Sequence, residues 1–248
     1  MLNLNHFQTK QEAEAAAGEA LNLLLMDNAK YPILLMLSGG SALAMLDYIS
    51  LSSLSENITI SVLDERFTED PQINNFSMLQ KTDFYKEAFD AGCSFFGTLP
   101  RPKETAEDLA KRWGKNLREW IAENHPPAGS DGAVGAGGGK IFATIGMGAD
   151  GHTAGIFPFA DDGKQFDRLF SGDAWITAYA AIGKNPYPER ITATISFLKQ
   201  IDAAIGFVCG EQKKEKLVAV LKKQGKVNEL PALLWHKIRK IQLATDIY

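Results

Sequence analysis

Apolar and polar positions along the chain change period several times, and each change marks an element. From about Gln11 to Met26, Ala and Leu recur at helical spacing with charges between them, which predicts a first helix. Tyr31–Leu37 (YPILLML) is a short continuous apolar run that stops at Ser-Gly-Gly-Ser, as a buried strand ending in a tight turn does; SALAMLDYI after it reads as a helix. Ile58–Asp64 (ITISVLD) is a second β-branched run, closed by Asp64-Glu65-Arg66. Glu104 to Glu123 returns to helical period. KIFATI, WITAYA, RITATI, AAIGFVCG and IQLATD supply further strands, and EQKKEKLVAVLKK a helix before the last of them.

Strands that alternate with helices predict an α/β fold with a mostly parallel sheet flanked by helices on both faces. Such sheets bind ligands in the crevice at the carboxyl ends of their strands. Three polar motifs follow predicted strands here: SGGS, DER and GMGADGH. Three loops meeting at one site is the expectation. The segment Pro126–Gly139 (PPAGSDGAVGAGGG) is the one low-complexity stretch; it reads as a mobile surface loop, with a domain linker as the alternative. KIFATI resumes the strand pattern at once, which favours a single domain over residues 1–248.

Composition narrows the class. Of 248 residues, 45% are hydrophobic and 23% charged, the mixture of a soluble globular protein with room for a sizeable core. The net charge of −4 comes without a long basic run, so no nucleic-acid surface is expected. The N-terminal stretch has neither the basic start nor the unbroken apolar run of a signal peptide, and no segment reaches membrane-spanning length. Two cysteines, Cys93 and Cys209, show no metal or disulfide spacing. A cytoplasmic protein, without a metal and favoured as a monomer, is expected.

Ile145–Pro158 (IGMGADGHTAGIFP) holds most of the chemistry. Gly146, Gly148 and Gly151 spell the G-x-G-x-x-G of a dinucleotide-binding turn. That turn opens a long helix, yet Pro158 follows Gly151 by seven residues. No acidic residue closes the next strand for a ribose. The other reading has the glycines shaping a loop around Asp150 and His152, with free N–H groups for an anion or oxyanion. His152 is the one histidine of four inside such a loop, and imidazole is the natural proton shuttle near neutral pH. A packing or capping role for it is the bland alternative.

Gly39, Gly40 and Ser41 present amides and a hydroxyl at a helix start, where a phosphate is favoured; a plain turn with Ser41 as N-cap explains them equally well. Asp64, Glu65 and Arg66 form either a phosphate grip with an orienting carboxylate or a solvated salt-bridge cluster. Arg190 and Lys213 are further cationic candidates, each alone readable as a surface charge.

In order, SGGSA, LDERFTEDPQINNFSML, IGMGADGHTAGIFP, PERIT and GEQKKEKL resemble the 6-phosphogluconolactonase family, which is related to the glucosamine-6-phosphate isomerases; the likeness runs in register from Ser38 to the C-terminus. It implies a modified Rossmann-like fold without a nucleotide or other cofactor, and hydrolysis of 6-phospho-D-glucono-1,5-lactone in the oxidative pentose phosphate pathway. By position it implies His152 as general base, with Asp150 and Asp64 orienting the site. Phosphate would lie around Gly39, Gly40 and Ser41, with Arg66, Arg190 and Lys213 as cationic partners. This chain departs from the family pattern at Gly155, Ile156 and Phe159, has Phe76 after Asn75 where a tyrosine is common, and is longer and richer in glycine at Pro126–Gly139.

Two rivals remain at this point. Sugar-phosphate isomerisation with deamination calls for F-N-E-P after the histidine loop, but Ile156-Phe157-Pro158 carries no acid. A sugar-phosphate-sensing module of a regulator would bring a DNA-binding segment, and only one helix is legible before Tyr31.

Overall fold

A computed structural model describes residues 1–124 and 138–248. The low-complexity stretch therefore lies outside the described residues except for Gly138 and Gly139.

Seven strands form one sheet: β1 (Leu2–His6), β2 (Ile33–Leu37), β3 (Ile58–Val62), β5 (Ser94–Phe95), β6 (Lys140–Ile145), β9 (Ala203–Phe207) and β10 (Lys240–Thr245). Their order is β1-β10-β9-β6-β2-β3-β5, with every pairing parallel. Each residue of β2, β3 and β9 is buried, including Thr59 and Ser61 of β3, as suits inner strands of a parallel sheet covered on both faces. The flanking helices are α1 (Lys10–Asp27), α2 (Asn75–Leu79), α3 (Asp83–Asp90), α4 (Ala106–Asn124), α5 (Gly163–Phe170), α6 (Ile195–Leu198) and α7 (Lys214–Leu221). The expected α/β fold with a mostly parallel sheet is the one observed.

Successive connections leave β2 toward β3 on one side, whereas β6 pairs with β2 on the other. The order reverses between β2 and β6, so a crevice opens beyond their carboxyl ends. Ser38 ties the two ends together: its N–H donates to Thr144 Oγ1 and its hydroxyl to the Thr144 carbonyl, each at 2.8 Å. The SGGS and GMGADGH loops both leave from this point.

Several elements differ from the sequence reading. WITAYA and RITATI do not extend the parallel sheet. They become β7 (Ile176–Ala180) and β8 (Glu189–Ala193), which with β4 (Asp64–Arg66) form a separate antiparallel sheet, β4-β8-β7. The DER motif is thus itself a strand, peeled off after β3 and set beside β8. SALAMLDYI, read as a helix, is wound as a 3-10 helix over Gly40–Tyr48. Its backbone lies directly on α1, where a Cβ on Gly18 would fall 2.4 Å from the Met45 carbonyl oxygen. Strand β1 precedes the helix read as the first element. Its LNLNH alternation is half exposed at the sheet edge, so it lacks the apolar run of the inner strands. A capping box starts α1: Thr9 accepts from the Glu12 N–H, and the Glu12 carboxylate accepts from the Thr9 N–H.

Candidate active site

The loop after β6 closes on itself instead of starting a helix. Gly151 N–H donates to the Gly148 carbonyl at 3.0 Å, and Gly148 N–H donates to the His152 carbonyl at 2.9 Å. Thr153 and Ile156 then exchange two backbone hydrogen bonds. The backbone is left-handed at Gly151 (φ +86°) and Gly155 (φ +69°), a conformation that glycine adopts without strain. The next helix, α5, begins only at Gly163. A pyrophosphate has no helix N-terminus to rest on here, so the glycine fingerprint does not make a dinucleotide site.

This winding brings His152 back over its own loop. Its Nδ1 lies 2.6 Å from Asp150 Oδ1, and its backbone N–H donates to the same oxygen at 3.1 Å. Partial burial alone would raise the Asp150 carboxyl. The side-chain hydrogen bond, charge and backbone hydrogen bond of His152 outweigh it and hold Asp150 below the ordinary carboxylate range. An ionised carboxylate only accepts, so in the neutral ring the proton is assigned to Nδ1 and the Nε2 lone pair is left open. The imidazole stacks on Phe157, with centroids 4.5 Å apart, and its side chain stays 33% exposed. It borders a cleft of about 230 Å³ at the β2–β6 switch point.

Gly39, Gly40 and Ser41 from the β2 loop and Gly146 and Gly148 from the β6 loop form part of the wall. Asp64, Arg66, Arg190 and Lys213 supply its charged groups. The small antiparallel sheet sets two of these side by side, because Arg66 on β4 is in register with Arg190 on β8. Arg190 is only 3% exposed and donates through Nη2 to Asp64 Oδ2 at 2.6 Å. Among the described residues its Nε and Nη1 have no partner, nor has Arg66 Nε, while Arg66 Nη1 donates to the Ile73 carbonyl at 2.7 Å. Buried guanidinium donors left open are costly unless an anion completes them. Burial pulls Arg66 below its ordinary value; Arg190 adds to this and Asp64 opposes it. Burial likewise lowers Lys213, which ends the turn (Glu211–Lys213) ahead of α7.

Three expected site residues do not border the cleft. Asp150 touches His152, which borders the cleft. Gly151 packs outside it, where a Cβ would strike Leu230 Cδ1 at 2.3 Å. Glu65 points into the protein and is completely buried. Its carboxylate accepts from Arg66 N–H, Asn75 N–H, Phe76 N–H and the Thr98 hydroxyl, between 2.6 and 3.0 Å. Alternate residues of a strand face opposite ways, so Asp64 and Arg66 reach the cleft and Glu65 between them cannot. Among the cleft residues that had no role in the sequence reading are Asn75 and Gly155, whose missing side chain admits Asp64 (a Cβ would lie 2.6 Å from Asp64 Cβ). Asn74 caps α2, accepting from Ser77 N–H at 2.8 Å, and its neighbour Asn75 borders the cleft. Among the described residues no three His, Cys, Asp or Glu side chains converge as a metal would require. No helix among them is long and apolar enough to cross a membrane.

The topology and this cleft define an α/β protein with a carboxylate-backed histidine facing incompletely paired arginines at a parallel-sheet switch point. The family of glucosamine-6-phosphate isomerases and 6-phosphogluconolactonases matches residues 8–243, and the chain belongs to that family. A 6-phosphogluconolactonase of Xylella fastidiosa (strain 9a5c) is 27% identical over 222 residues, covering 88% of this chain and 84% of its own. Two solved structures share the fold. A 6-phosphogluconolactonase from Shewanella baltica OS155 has TM-score 0.73 and 21% identity, covering 99% of this chain and 97% of that one. The Trypanosoma brucei 6-phosphogluconolactonase has TM-score 0.74 and 20% identity, covering 99% and 96%.

Proposed function

We propose that this chain hydrolyses 6-phospho-D-glucono-1,5-lactone to 6-phosphogluconate, the lactonase step of the oxidative pentose phosphate pathway, as a single cytoplasmic domain. The observation that carries the reading is the Asp150–His152 pair, which leaves Nε2 free in a cleft that also holds the open donors of Arg66 and Arg190. The phosphate is held by the Gly39–Ser41 loop with Arg66, Arg190 and Lys213. His152 Nε2 takes a proton from water as its oxygen attacks the lactone carbonyl, and Asp150 steadies the imidazolium that forms. Loop amides support the tetrahedral oxyanion. The carbon–oxygen bond of the ring ester then breaks, and the imidazolium returns its proton to the departing ring oxygen.

Isomerisation is disfavoured by two features. No acid follows the histidine, since Ile156 and Phe157 are buried and apolar. Asp64 is tied to Arg190 and is not a free proton acceptor. The test is a lactonase progress curve run beside glucosamine-6-phosphate as substrate. Hydrolysis well above the spontaneous rate supports the reading; a curve no faster than buffer ends it, and turnover of the amino sugar replaces it with the isomerase.

A further inference from the structure

Asn75 stands at the head of α2, 1% exposed, and is one of the residues that line the cleft. Two contacts fix it. Its backbone N–H donates to Glu65 Oε1 at 2.6 Å, and its Nδ2 donates to the Asp64 carbonyl at 2.8 Å. The second contact decides which end of the amide is which, because the reverse orientation would set two oxygens against each other. Oδ1 then lies beside the Gly39 loop, 2.2 Å from where a Cβ on Gly39 would be. It has no hydrogen-bond partner among the described residues. Buried side-chain oxygens are ordinarily paired, so one left open at a cleft wall marks a place that a ligand completes.

The chemistry of that ligand group follows from the atom. An amide oxygen only accepts, so its partner must carry a hydrogen on oxygen or nitrogen. An ionised phosphate oxygen carries no hydrogen and cannot serve. A sugar lactone offers ring hydroxyls. Building on the lactonase reading, we propose that Asn75 is a specificity-determining residue whose Oδ1 accepts a hydrogen bond from one hydroxyl of the lactone ring. Gly39 serves the same contact, since any side chain there would displace the amide. The site therefore discriminates among sugar-phosphate lactones by ring hydroxyls as well as by phosphate.

The experiment measures kcat/KM for the parent lactone and its 2-, 3- and 4-deoxy analogues, with the wild-type chain and Asn75→Ala. A deoxy analogue leaves Oδ1 buried and unpaired, so one analogue loses roughly 5- to 150-fold in the wild-type chain. In Asn75→Ala that analogue-to-parent ratio collapses toward one while the other two ratios hold, a pattern that general loosening of the fold does not produce. Wild-type penalties below about 5-fold for all three analogues overturn the proposal without any variant. So does a ratio that Asn75→Ala leaves unchanged in a chain whose thermal melt shows it folded. A wild-type chain that hydrolyses no lactone overturns the lactonase reading itself, and the two failures are thereby distinct.

Discussion

The imidazole of His152 occupies the space that a side chain on Gly148 would fill. A Cβ built there falls 2.2 Å from ring atoms Cε1 and Nδ1 and 2.7 Å from Asp150 Oδ1. Gly148 is thus required by the close approach of the Asp150–His152 pair to its own loop. Gly148→Ala should push the ring away and reduce kcat about 10²-fold, the scale of a misplacement near 1 Å, with little change in melting temperature. Steady-state kinetics beside a thermal melt checks this. Full activity in the alanine variant would show that the ring can shift without cost and is not the reacting group.

His152→Ala should reduce kcat by about 10²–10⁴-fold if Nε2 removes the proton from water. Asp150→Asn keeps the shape but replaces the anion with an amide, which no longer favours the imidazolium. A large loss is expected there too, with KM nearly constant because neither residue holds the phosphate. Unchanged rates in both variants would reduce the pair to a packing contact.

Arg190 and Lys213 border the same cleft but should respond differently. Removing Arg190 leaves the Asp64 carboxylate buried without its partner, a loss of about 3–5 kcal/mol for a broken buried pair. Arg190→Ala should therefore raise KM and also lower the urea midpoint. Lys213 has no ion-pair partner among the described residues, so Lys213→Ala should raise KM alone. Equal stability losses in the two variants would contradict the buried pairing of Asp64 with Arg190.

The parallel sheet and the histidine loop were legible because their signals are local. Apolar runs mark inner strands, and Gly146, Gly148, Asp150 and His152 fall within one turn of chain. The small sheet was not, because its key contact joins Asp64 to Arg190 across 126 residues, and no local period encodes that partner. Glu65 was misplaced for a simpler reason. DER was read as a polar cluster at a strand end, whereas as a strand it turns alternate residues to opposite sides. Gly151 belongs to the written fingerprint, but its constraint is Leu230, a residue distant in sequence.

Glu65 leads to a prediction about pH. Burial pushes its carboxyl from 4.5 up to about 7, against hydrogen bonds from Phe76, Thr98, Asn75 and Arg66 that pull it down. A folded value above the unfolded one means that the fold favours the protonated acid. Its contribution to stability is fully present below pH 4.5 and is lost as pH rises through about 7. The wild-type chain should thus lose on the order of 1–3 kcal/mol between pH 5 and pH 8 from this one group. Glu65→Gln cannot ionise, so its stability should change less over the same window. Its amide also sets N–H groups against donors that a carboxylate accepts, so it should be less stable overall by about 1–3 kcal/mol. Urea midpoints of both chains at pH 5, 6, 7 and 8 decide the matter. Parallel curves would assign the pH dependence to other groups and leave Glu65 ionised throughout, held by its four donors.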